Sequence, residues 1–218
     1  MHLIDLSQPI YDAVPNCPGH PPVRSDVRAD HPETGWRLEL LTLAAHTGSH
    51  LDAPFHKLAQ GVTIDQVPLD SFVGEALLAD LRGIEPKGSI TAALLASKLP
   101  KDITGKIVLL ATGWGEKRGH NETWLREAPN LMPDAAEWLV AKGAKAVCID
   151  HWGISGSDGD NDPIVHTILL SQNVWIGEDF HFPEEVYSLS MPQTLMALPI
   201  NLKGHSGAWC RPVLLIED

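Results

Sequence analysis

The sequence predicts a single α/β domain, and three observations lead there. A chain of 218 residues with 44% apolar content can bury one substantial core, so one domain over 1–218 is expected rather than two. Apolar runs of strand length recur, the most uniform being Lys106-Ile-Val-Leu-Leu-Ala111. Its lack of polar alternation suits an interior strand covered on both faces. Finally, a helical pattern over 133–142 runs directly into an apolar run over 146–150, the strand, helix, strand order of an α/β domain.

After one short strand, Pro9, Pro15, Pro18, Pro21 and Pro22 make the segment at about 7–35 an irregular arm, able to cover a site or a partner subunit. Residues 37–44 read as a strand leading into a histidine cluster. Residues 74–80 and 106–111 are strands, and between them 91–99 fits a helix capped by Ser89 or Thr91. The 133–142 helix has Pro133 and Asp134 in its first turn and Gly143 to stop it. Asp162-Pro163 introduces a helix over about 164–171, followed by a short strand over 174–177 that ends at Glu178. Residues 195–199 and 213–216 close the sheet. No internal repeat or composition shift marks a second domain.

The formal charge of −12, from 16 basic and 28 acidic residues, argues against a nucleic-acid partner and favours a small-molecule substrate. The first residues lack a basic region followed by an apolar run, and no later stretch is long enough to span a bilayer, so a soluble, cytoplasmic protein is expected. Cys17, Cys148 and Cys210 are too scattered for a disulfide framework or a cysteine zinc site. Cys148, inside an apolar run, reads as a core residue.

The densest chemistry lies in His46-Thr-Gly-Ser-His50-Leu-Asp52-Ala-Pro54-Phe-His56, which holds three of the eleven histidines within eleven residues. Imidazole nitrogen and carboxylate oxygen suit zinc, manganese or iron, and three protein ligands leave positions open for water and substrate. Each histidine alone would pass for an ordinary surface or core residue; their clustering favours a metal. All four residues are even-numbered and would share one face of a strand. A straight strand cannot gather them, because at roughly 3.3 Å per residue His46 and Asp52 would stand about 20 Å apart. The chain must turn at Thr47-Gly48-Ser49, and Pro54 must redirect the exit so that His56 approaches from another side.

This run closely resembles the signature of the cyclase family of metal-dependent hydrolases, which includes bacterial kynurenine formamidase and isatin hydrolase. The resemblance extends to Leu6-Ser-Gln-Pro9, Pro18-Gly19, Thr112-Gly113-Trp114, Asp150, His166 with Glu178 twelve residues on, Ala197-Leu-Pro199 and Gly207-x-x-x-Arg211-Pro-Val. It implies a mixed α/β fold around a β-barrel-like sheet, one or two divalent ions (Zn or Mn) per chain, and a homodimer or homotetramer. It also implies that His46, His50 and Asp52 bind one metal, that Asp52, His166 and Glu178 bind a second, and that His56 is the proton donor and acceptor. Where the formamidases carry an aromatic residue before Pro-Gly-Asp, this chain has Asn16-Cys17-Pro18-Gly19-His20. Asn16 and Cys17 are therefore candidate substrate contacts, and loss of the stacking surface leaves the substrate open.

The expected reaction is hydrolysis of an amide carbon–nitrogen bond by metal-activated water, as in an arylformamidase, or of a cyclic amide or lactone. A non-haem iron oxygenase is an alternative, since His50-x-Asp52 with a distant histidine fits its ligand triad, but it leaves His46, His56 and Glu178 without a role. A metal-holding binding protein that has lost catalysis is a third. His120, His151, His181 and His205 lack a partner at ligand spacing, although His151 adjoins Asp150.

Overall fold

A computed structural model describes residues 1–156 and 158–217. In chain order the strands are β1 (His2–Asp5), β2 (Arg24–Ala29), β3 (Leu38–Thr42), β4 (His50–Asp52), β5 (Val73–Asp80), β6 (Ser89–Ile90), β7 (Ile107–Ala111), β8 (Asn130–Leu131), β9 (Ala146–Ile149), β10 (Trp175–Glu178), β11 (Gln193–Met196), β12 (Gly207–Trp209) and β13 (Val213–Ile216). The α-helices are α1 (His31–Thr34), α2 (Ala92–Lys98), α3 (Glu122–Arg126), α4 (Pro133–Ala141) and α5 (Asp162–Ser171). No helix among the described residues is long and apolar enough to cross a membrane.

Nine strands form one curled, half-barrel sheet in the order β1-β13-β11-β5-β7-β9-β10-β4-β12. Its centre, β5, β7, β9 and β10, is parallel, as short strands joined by helical crossovers require. The flanks are antiparallel.

Strand pleating divides the core in two. On β7, Val108 and Leu110 face the layer of α2, α4 and α5, joined there by Val147 and Ile149 of β9. Ile107 and Leu109, with Ala146 and Cys148, face the concave side, where Phe72, Trp175 and Phe180 fill the curl of the sheet. The uniformly apolar run at 106–111 is thus an interior strand with both faces buried, and Cys148 is a core residue.

The expected helices form where their caps allow. The Thr91 hydroxyl accepts a hydrogen bond from the Leu94 amide to start α2, and Gly143, with φ of +70°, follows α4. One expectation needs correction. The arm lacks regular structure only as far as Val23, because Arg24–Ala29 forms β2 and His31–Thr34 a helical turn. The strand expected at 37–44 forms as β3, and among the described residues it pairs with β2, outside the main sheet. An apolar run reports that a surface needs covering, not which strand will cover it.

Candidate metal centre

β4 is three residues long, yet it positions most of the site. It runs antiparallel between β10 and β12, with His50 opposite Glu178 and Asp52 opposite Gly207. Residues i and i+2 share a face, and directly opposed residues on neighbouring strands share it too. His50, Asp52 and Glu178 therefore project together, while Leu51 turns into the concave core.

The expected turn lies before this strand. Gly48 has φ of +63°, and a Cβ there would stand 2.9 Å from Cγ1 of Ile10, so both the backbone conformation and the approach of the arm call for glycine. The turn returns His46 over the strand, where its Nδ1 lies 2.6 Å from Oδ1 of Asp52 and its Nε2 2.9 Å from the Ser206 hydroxyl. Gly207 makes room for it, because a Cβ at that position would stand 2.5 Å from Cε1 of His46. Beyond β4, the turn Pro54–His56 brings the exposed His56 ring back to 4.0 Å from the His46 ring, centre to centre. From α5, His166 places Nε2 3.5 Å from both Asp52 Oδ2 and Glu178 Oε1.

Among the described residues, two sets of ligand atoms, each mutually within 4.8 Å, can hold a metal ion: His46, Asp52 and His56, and His50, Asp52 and Glu178. All six residues named from the sequence thus converge, with Asp52 common to both sets. The division differs from the one the resemblance implies. His50 lies nearer Glu178, and His56 lies among the ligands as well as at the open side.

The donor set fits a divalent cation on local grounds. Nδ1 of His50 donates to the Gly48 carbonyl at 2.8 Å and Nδ1 of His166 to the Asp162 carbonyl at 2.9 Å. Each anchor fixes the tautomer and leaves Nε2 as a lone-pair donor, the usual arrangement for a metal-bound imidazole. Nε2 of His50 and Oδ2 of Asp52 are buried without a hydrogen-bond partner. Among the described residues, the ion partners of Asp52 and Glu178 are all histidines. Buried carboxylates without a fixed cation call for one.

Electrostatics point the same way. Burial alone would raise the Asp52 and Glu178 carboxyls, but the imidazoles around them overcome it, holding Asp52 well below the usual range and Glu178 at about 2. Burial alone would lower His50 and His166, but the facing Asp52 and Glu178 carboxylates raise His50 to about 9 and hold His166 well above its ordinary value. His56 is held below its ordinary value by desolvation and by the His46 and His166 imidazoles, against the pull of Asp52.

A comparison with known families decides the lineage. The Cyclase family, described as "Putative cyclase", matches residues 4–155. The chain belongs to the Cyclase family. Among its relatives, a kynurenine formamidase of Salinibacter ruber is 28% identical over 225 residues, covering 98% of this chain and 97% of the relative. One from Bacillus cereus is 28% identical over 215 residues, covering 97% and 96%. A solved structure of a predicted metal-dependent hydrolase from Bacillus stearothermophilus superposes with a TM-score of 0.78 at 25% identity, covering 98% and 97% of the two chains. Isatin hydrolase A from Labrenzia aggregata superposes with a TM-score of 0.84 at 19% identity, covering 100% of this chain and 94% of that one, a likeness of fold.

Within this Cyclase-family site the arm contributes unequally. Cys17 lines the cleft over the ligands, beside His20, Trp152 and Asp162. The cleft adjoins a groove of about 190 Å³ between Cys17-Pro18-Gly19 and Leu125 with Trp152. Asn16 instead donates to the Thr47 hydroxyl at 3.3 Å and faces a separate hollow with His120. His151 is a structural residue, fully buried, with Nε2 donating to the Trp124 carbonyl at 2.7 Å and burial lowering it to about 4. Asp150, which ends β9, accepts from the Thr112 amide and hydroxyl and so ties down the Thr112-Gly113-Trp114 turn. Sequence reasoning missed Trp152, Asp162, Ser206 and the steric role of Gly207. Asp162 alone left a readable signal, lying four residues before His166 on one helix face.

Proposed function

We propose that this chain is a metal-dependent hydrolase that cleaves a carbon–nitrogen amide bond in a small organic substrate, of the arylformamide kind. The observation that carries this reading is Asp52, a buried carboxylate shared by two sets of metal-ligand atoms, with an exposed imidazole at His56 above it. The formamidase relatives match almost the whole length of the chain, which supports the amide over other hydrolysable bonds. A divalent ion bound here, Zn or Mn, supplies Lewis acidity and lowers the pKa of water. His46, His50, Asp52, His166 and Glu178 would hold and orient it, or would divide between two ions around Asp52. His56 takes a proton from the attacking water and returns it to the departing nitrogen as the carbon–nitrogen bond breaks, giving a carboxylate and an amine. Cys17 and Trp152 flank the approach, where a flat acyl or aryl group can lie.

The test is metal analysis of the purified chain together with an assay panel of N-formylkynurenine, isatin and simple lactones. Turnover of the formamide that is abolished by a chelator and restored by Mn²⁺ or Zn²⁺ is expected, and the metal-to-protein ratio distinguishes one ion from two. Turnover of isatin or a lactone alone would move the substrate to the cyclic class. Oxygen consumption without hydrolysis would replace the reading with an oxygenase.

Self-association through the β2–β3 ribbon is part of the same proposal. An isolated two-stranded ribbon is marginal in water, and this one exposes Val27, Leu38, Leu40 and Leu41, with Trp36 beside them 77% exposed. Its charges, Arg24, Asp26, Arg28 and Glu39, alternate in sign, which suits an isologous contact with a second copy. In sedimentation velocity the wild type is expected to run as a dimer or tetramer, and a Leu38→Glu, Leu40→Glu double variant as a monomer with unchanged metal content. A double variant that keeps the wild-type mass would place the interface elsewhere.

A further inference from the structure

Arg118 lies outside the ligand set, yet it joins two parts of the site. Its side chain is 6% exposed, and that of its ion partner Asp179 2%. One guanidinium nitrogen donates to the Pro9 carbonyl of the N-terminal arm at 2.8 Å, another to Oδ2 of Asp179 at 2.8 Å. Asp179 directly follows Glu178 and has φ of +54°, a left-handed conformation that costs energy in a residue other than glycine and persists only when its surroundings over-determine it. Here they do. The Asp179 amide donates to the His151 carbonyl at 2.7 Å, its carbonyl accepts from the Ser49 hydroxyl at 2.6 Å, and its carboxylate is held by Arg118. The Ser49 hydroxyl in turn accepts from the Gln8 amide at 2.8 Å.

The arm therefore reaches the residue after Glu178 by two routes, through Arg118 and through Ser49. The same loop holds the arm at two more points, since Gln8 Nε2 donates to the Gly115 carbonyl at 3.2 Å and His120 Nε2 to the Ala13 carbonyl at 2.8 Å. Beyond these ties the arm carries Cys17 over the cleft.

We propose that Arg118 is a positioning residue that couples the seating of the N-terminal arm to the direction in which Glu178 leaves β10. The inference rests on the metal-dependent reading of the site. Coupling of this kind is reciprocal: an ion that fixes Glu178 orders the arm, and freeing the arm weakens the hold on the ion. A planar fork is needed, because a lysine ammonium on Asp179 is a point charge that cannot also hold Pro9 in the same fixed geometry.

The test uses the full chain stripped of metal and measures two things: Mn²⁺ or Zn²⁺ affinity by calorimetry, and amide hydrogen exchange of residues 6–23 with and without the ion. In the wild type the metal is expected to slow exchange in the arm. Arg118→Met is expected to weaken metal binding about tenfold, in the range seen when groups supporting a ligand are removed, and to abolish metal-induced protection of the arm. Arg118→Lys is expected to restore most of the metal affinity without the protection. Should Arg118→Met fail to fold, Asp179→Asn, which keeps the shape and removes the charge, is expected to behave like it. Metal affinity and arm protection that stay at wild-type values, or that fall in both Arg118 variants only in proportion to Tm, would overturn the inference while leaving the metal site standing. A wild type that binds neither ion would remove the metal reading and this inference with it.

Discussion

Asp52→Asn is expected to abolish hydrolysis, by about 10³-fold or more, equivalent to roughly 4 kcal/mol of transition-state stabilisation, and to strip the chain of most of its metal. Asp52 is 1% exposed, is common to both ligand sets, and meets His46, His50 and His166. The amide keeps the shape and one acceptor oxygen but loses the charge on which every one of these contacts depends. Elemental analysis beside the assay checks the expectation; an Asp52→Asn protein that retains full metal and activity would remove Asp52 from the centre of the site. The metal-free protein adds a pH test. His50, raised to about 9 by Glu178 and Asp52 over the opposing effect of burial, is protonated at neutral pH, so an ion must displace that proton to bind Nε2. Apparent metal affinity should accordingly rise with pH through neutrality and level off near pH 9, with about a tenfold gain per unit for each proton displaced.

His56→Ala is expected to lower kcat by roughly 10²–10⁴-fold, the usual contribution of a positioned general base, while leaving metal content close to that of the wild type. His56 is an exposed residue whose ring lies over the buried ligands, tilted against that of His46 at 4.0 Å, so its removal opens no core cavity. The base acts in its neutral form, and desolvation together with the neighbouring imidazoles favours that form. The acidic limb of the wild-type rate profile should then fall below the ordinary imidazole value of about 6.5, with activity lost as pH drops through it, and that limb should be missing from the variant. His56 also belongs to one ligand set, which makes the metal measurement decisive. Loss of metal from His56→Ala, with activity recovered on adding excess ion, would make His56 a ligand and send the search for the base to the other residues over the cleft.

The residues of the site were far more legible than their arrangement. His46, His50, Asp52 and His56 announce themselves because four metal-binding side chains fall within eleven positions, and chain dimensions alone require the bend at Gly48 that the structure contains. His166 and Glu178, more than a hundred residues away, carry no such local signal and were reachable only through resemblance to a family. Trp152 and Ser206 were not reachable at all, since neither stands at a recognisable spacing from a partner. The strands β4 and β12 were missed because three residues are too few to display a period of two. β3 is legible as a strand, but its pairing with β2 outside the main sheet is not.

From the sequence alone came the α/β class, the buried strands around 106–111 and 146–150, and the ligand chemistry of the 46–56 segment. These follow from local composition and periodicity, properties a short stretch of chain carries with it. Only the tertiary structure decided that His50 lies opposite Glu178, that Gly207 makes room for His46, and that Arg118 ties the arm to Asp179. Each of these is a meeting of segments set by strand register and close approach, and register is a relation between strands that no single strand encodes.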